Sequence, residues 1–176
     1  FVIALPVYLS ATLGWSHWSV GGFMACWVIG YGIVQSLAPY ITGREQDAKQ
    51  VKLPDGRSAV VWSTGLVVIP LVIALALVFD FYSQIILIGG LFCFGAVFAV
   101  NSSLHSYLIV SYARDDGVSL DVGFYYMANA MGRLIGTLLS GWVYQDYGLI
   151  ACLYISSLFI LITAVISIKL PRFTGG

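Results

Sequence analysis

A cation, an amide and three hydroxyls share one face of a long run that is otherwise free of charge. In "FYYMANAMGRLIGTLLSGWVY" (124–144), Tyr126, Asn129, Arg133, Thr137 and Ser140 fall at i, i+3, i+7, i+11 and i+14. That spacing is a single helical stripe. The run is long enough to cross a bilayer, and Arg133 lies near its middle. A lone cation at mid-span costs about 2.5–3.5 kcal/mol on insertion scales, so it faces a water-filled cavity, a counter-charge or a ligand rather than lipid. Its guanidinium is a planar fork of donors suited to carboxylate or phosphate. Asn129, one turn away, can orient that fork or hydrogen-bond a solute. The chemistry implied is recognition of a small anionic solute. A second reading stays open, in which Arg133 is a structural lock tied to backbone carbonyls or to a buried acid.

Weaker constellations surround this one. Asn101 and His105 lie one turn apart, with Ser102 and Ser103 beside them. An imidazole there can shuttle protons or pair with an anion, or it can be a hydrogen-bonded packing residue. Trp27, Tyr31 and Gln35 are spaced by four and suggest either a cavity wall or aromatic packing. Ala128, Gly132, Gly136 and Ser140 also recur every four residues. Small residues at that interval let helices approach closely, as a rocking contact or as ordinary packing. Asp121 follows Ser119 at the start of the same run, where a carboxylate suits the helix N-terminus; a gate contact to an Arg on another loop is the alternative. No Walker sequence, His–Glu metal pattern or Ser–His–Asp arrangement occurs, so no catalytic residue, cofactor or metal is expected. Cys26, Cys93 and Cys152 lie inside apolar runs without metal-ligand spacing and read as small buried thiols.

The elements that must hold these residues are membrane helices. The chain of 176 residues is 60% hydrophobic and only 9% charged, against about 25% charged in soluble domains. Net charge is zero and no large basic patch exists, which argues against a nucleic-acid partner. A span needs about 20 apolar residues. Runs of that kind cover about 18–41, 58–79, 83–112, 119–144 and 149–170. The first run, 1–14, is shorter and reads as the tail of a longer helix, so the chain is expected to be a fragment cut inside a span. Pro6 and Pro70 are candidate kinks. The expected fold is an all-α membrane protein of six helices, the first truncated, in a single bundle over 1–176.

Seven of the eight basic residues fall on alternate ends of these spans, and the eighth is Arg133. Arg44, Lys49, Lys52 and Arg57 follow the second span, Arg114 the fourth, and Lys169 and Arg172 the sixth. By the positive-inside rule those ends, including the C-terminus, are cytoplasmic. Trp15, Trp18, Tyr82, Trp142 and Tyr147 mark one interface, and Tyr40, Trp62, Tyr107 and Tyr112 the other. The connection 42–57, with its "LPDG" turn, reads as solvated connector. Spans three and six are nearly all apolar, as peripheral helices would be, while two, four and five carry the polar residues. Six spans with one longer loop after the second suit two three-helix repeats.

Over essentially its whole length the chain resembles the C-terminal half of a major facilitator transporter, whose halves are three-plus-three inverted repeats. More narrowly, "WVIGYGIVQSLAPYITG" (27–43) and "VGFYYMANAMGRLIGTLLSGWVYQ" (122–145) resemble the organoarsenical efflux permeases of bacterial arsenic-resistance operons. That resemblance implies an inner-membrane exporter of 1-arseno-3-phosphoglycerate, which a companion glyceraldehyde-3-phosphate dehydrogenase makes inside the cell. It further implies a missing N-terminal half of the same transporter, without which the fragment does not transport. Two other readings remain at this point. One is a facilitator for another small organic anion or drug; the other is a six-span membrane subunit with no transport role.

Overall fold

The computed structural model describes residues 1–42, 56–112 and 118–170. Most of the 42–57 connection lies outside the described residues, and so do Arg114 and Arg172. The described chain is all-helical. A short α1 (Leu5–Ala11) is followed by α2 (His17–Ile41), α3 (Gly56–Val78), α4 (Ser83–Tyr112) and α5 (Val118–Ser167). Four of these, α2 to α5, are long and apolar enough to cross a membrane. No more than 39% of the most apolar window of any of them is buried inside the chain. Apolar surface on that scale requires lipid or another protein face against it.

Local signals set the boundaries. Pro6 stands in the first turn of α1, where its missing N–H costs nothing, so it opens that helix instead of kinking it. Ser16 caps α2, its hydroxyl accepting from the Ser19 amide at 3.2 Å. Pro39 and Pro70 lie inside α2 and α3. The α3–α4 turn forces Asp80 and Tyr82 into the left-handed region, at φ 49° and 43°. There the Ser83 hydroxyl donates to the Asp80 carboxylate at 2.9 Å.

The fifth and sixth expected spans join with almost no loop. Helical structure continues past residue 144, and the break is at Gly148, with φ 77° and ψ −174°. A positive φ of that kind favours glycine, because a Cβ would collide with the backbone. The two arms of α5, 118–147 and 149–167, then run back along each other: the Cys152 thiol donates to the Ser140 carbonyl at 3.6 Å. Counting the arms separately gives six helical segments among the described residues, with α1 the short one.

Two apolar clusters hold the bundle, one toward each end. The larger joins Leu5 and Leu9 to Val20, Ile73, Leu87, Leu91, Val143 and Leu153. It gathers the beginnings of α2 and α4, the end of α3 and the Gly148 bend. The smaller joins Ala59 to Leu104 and Leu108, with Trp62, Tyr107 and Leu170 against it. Arg57 and Lys169, the described basic residues of the loop ends, therefore share the second end, while Asp80 and Asp146 belong to the first. This is the alternation on which the charge argument rests.

The expectation that α3 is peripheral needs correcting. It is packed against both α4 and α5 and buries Ala59, Ser63, Leu66, Pro70, Ile73 and Ala74. Apolar composition suits a lipid face and a protein core equally, so composition could not tell the two apart. Small residues on α3 admit its neighbours closely, and Ser63 finds a hydrogen-bond partner across the contact, donating to Asn101 Oδ1 at 3.2 Å.

Candidate functional site

A cavity of about 930 Å³ opens between α2 and α4 on one side and the two arms of α5 on the other. It exists because α2 packs on α4 and α5 packs on α3, whereas α2 and α5 hardly meet. One wall carries Asn129, Arg133, Thr137 and Ser140 from the first arm of α5. Four members of the polar stripe thus share the cavity. Among the described residues no acid and no hydrogen-bond acceptor pairs with the Arg133 guanidinium, and the residue is exposed within this chain. A guanidinium is a planar fork of donors that can take an anion, and in an apolar bundle it is costly to leave in contact with lipid.

The facing wall is aromatic. Trp27 and Tyr31 of α2 and Phe98 of α4 line it, with Ser102 beside them. Trp27 is fixed by a short bond: its indole N–H donates to the Leu91 carbonyl of α4 at 2.7 Å. Gly95 makes that approach possible, since the indole lies over the place where a Cβ would stand.

Other expected site residues are placed elsewhere. Asn101 is buried against α3 and takes the Ser63 hydroxyl. His105 meets the Asn101 carbonyl through Nδ1 at 2.9 Å. A carbonyl only accepts, so Nδ1 carries the proton, and Nε2 is left as a buried acceptor without a partner. Neither residue lines the cavity. Gln35 is exposed, one turn beyond Tyr31 and off the cavity. Tyr126 is exposed at the end of the stripe, edge-on to Tyr125 at 5.4 Å. Asp121 sits half-buried in the first turn of α5, where the helix dipole favours a carboxylate.

The small-residue stripe also needs correction. Ala128, Gly132 and Gly136 are exposed, and a Cβ at either glycine meets nothing within 4 Å. Only Ser140 is buried. Within this chain the stripe makes no close helix contact at those glycines; Gly132 and Gly136 instead leave room in the cavity beside Arg133. The close approaches are on α4, at Gly90 over Ile73 and at Gly95 over Trp27. The cysteines divide likewise: Cys152 is buried, whereas Cys26 and Cys93 are exposed. Phe98 and Thr163 line the cavity without having stood out in the sequence. Phe98 is one more apolar residue in an apolar helix. Thr163 bonds its hydroxyl back to the Phe159 carbonyl at 2.9 Å, as any helical threonine in a membrane can.

Four helices long and apolar enough to cross a membrane, with a cavity between them lined by Arg133, describe a multi-pass membrane protein. Comparison with protein families agrees: the model of the Major Facilitator Superfamily matches residues 1–174, and the chain belongs to that superfamily. Its members are secondary transporters of small solutes, not enzymes. No curated protein and no solved structure matches the chain.

Proposed function

We propose that this chain is the C-terminal half of a twelve-helix transporter that exports a small organic anion from the cytoplasm by alternating access. The observation that carries the proposal is Arg133, which has no partner among the described residues and stands on a cavity wall that also offers Asn129 and Thr137. A non-transport subunit is no longer a competing reading, given the family. The exposed polar wall of α5 suits a second bundle across the cavity, which would be the N-terminal half of the same protein. The solute implied by the sequence resemblance is 1-arseno-3-phosphoglycerate, supplied by a glyceraldehyde-3-phosphate dehydrogenase working beside the carrier. Its phosphoryl and arsenyl groups both suit a guanidinium fork.

The test is arsenate resistance in a sensitive bacterial strain. The full-length protein together with the dehydrogenase should protect, and neither should protect alone. Failure of the pair to protect, with the carrier present in the membrane, removes the arsenical solute. The proposed location is a bacterial inner membrane, with the loop ends rich in Lys and Arg facing the cytoplasm. Cysteines placed at Lys49 and Asp115 should then react only from the cytoplasm, and one at Asp146 only from the other side. Labelling of position 49 from outside would reverse the orientation.

A further inference from the structure

The cavity is asymmetric, and its apolar side carries information about the solute that Arg133 does not. Four rings form a continuous row along α2 and α4. Trp27 stacks on Tyr31 with centroids 6.0 Å apart and planes 24° from parallel. Tyr31 meets Phe98 at 6.0 Å and 35°. Phe98 stacks on Phe94 at 5.7 Å and 8°. Trp27, Tyr31 and Phe98 line the cavity, and Phe94 is buried behind them.

This row is held in place before any solute arrives. Trp27 is anchored by its bond to the Leu91 carbonyl, over the gap left by Gly95. Phe94 backs Phe98 from inside the bundle. Rings fixed in this way lose little side-chain freedom on binding, which removes one of the entropic costs of the contact. The wall opposite presents Arg133, the only charged side chain among the described lining residues, with Asn129 and Thr137. A solute that offers an anion to one side and a flat apolar body to the other would use both walls. A wholly polar three-carbon ester, such as the arsenical solute proposed above, would use Arg133 and leave the aromatic wall without a partner, so that wall points to solutes beyond it.

We infer that the cavity also takes, and binds more tightly than a wholly polar ester, organic anions bearing an aromatic or similarly planar apolar group, the anion on Arg133 and the planar body against Trp27, Tyr31 and Phe98. The inference rests on the anion site proposed above and widens the range of solutes that this site accepts. Stacking and apolar burial of one ring give a preference of about tenfold or more over an equally charged solute without a ring.

The experiment compares two phosphate monoesters on the purified full-length protein: phenyl phosphate and glycerol 3-phosphate. Phenyl phosphate should bind about tenfold tighter. In Phe98→Ala the ratio of the two affinities should fall toward one. Phe98→Leu, which keeps apolar volume but not the ring, should lower the ratio too, and it serves where the alanine variant is poorly folded. Arg133→Gln should lose both esters. Equal affinity for the two esters in the unaltered protein, with both still lost in Arg133→Gln, overturns the aromatic preference and leaves the anion site standing. Undiminished binding of both esters by a folded Arg133→Gln protein overturns the anion site and this inference with it.

Discussion

Replacing Arg133 with Gln abolishes solute export in the full-length protein while the amount of folded protein in the membrane stays the same. The expectation follows from two facts: Arg133 lines the cavity, and among the described residues nothing pairs with it. Removing a guanidinium that locks helices together leaves an unsatisfied partner behind and lowers stability. Removing one that waits for a solute leaves nothing behind. Gln keeps some hydrogen bonding but is shorter and loses the charge, so the loss falls on solute affinity. Losing the cationic partner of a largely desolvated anion costs roughly thirtyfold or more in affinity. Arg133→Lys recovers only part, because an ammonium is a single point of charge and cannot form the two parallel bonds of the guanidinium fork. Binding of the solute and thermal stability, measured on the same detergent-purified variants, separate the two roles. A fall in melting temperature with unchanged affinity per folded molecule would show a structural lock.

The polar wall of the cavity was legible because of a cost that leaves little choice. A cation in hydrocarbon must be turned inward, and helical spacing then carries Asn129, Thr137 and Ser140 to the same side. Asn101 and His105 look similar in the sequence and behave differently. A polar group can find a partner on its own or a neighbouring helix: Ser63 bonds to Asn101, and the helix backbone holds Nδ1 of His105. The sequence does not say which partner a neutral polar group will find. Apolar residues were harder still. The most apolar helix, α3, is the best buried, and Phe98, with no polar mark, faces the cavity. The glycines divide by what stands opposite them. Spacing by four on α5 suggested close contact, yet the contacts form at Gly90 and Gly95, which share no such pattern with a neighbour. Lys and Arg at the loop ends say nothing of the near-absence of a loop at Gly148, which one residue of positive φ achieves.

Gly95 and Gly132 give a direct comparison, since the same substitution meets opposite surroundings. A Cβ at Gly95 would lie 2.9 Å from Trp27 Nε1 and 3.0 Å from Cε2. The indole cannot easily withdraw, because its N–H is bonded to the Leu91 carbonyl at 2.7 Å and its ring is stacked on Tyr31. Overpacking of this kind costs about 1–3 kcal/mol, which outweighs the roughly 1 kcal/mol that alanine gains over glycine within a helix. Gly95→Ala is therefore expected to melt at a lower temperature, and Gly95→Leu to yield little folded protein. Combining Gly95→Ala with Trp27→Phe should restore much of the lost stability, because the smaller ring vacates the space; the non-additivity measures the contact. At Gly132 a Cβ meets nothing within 4 Å, and the residue lines the cavity beside Arg133. Gly132→Leu should melt like the unaltered protein and bind solute poorly, because its side chain fills the cavity. The comparison has a clear adverse outcome. If Gly132→Leu loses folded protein while Gly95→Leu does not, the stripe on α5 is a helix contact after all, and the cavity wall has been assigned to the wrong face.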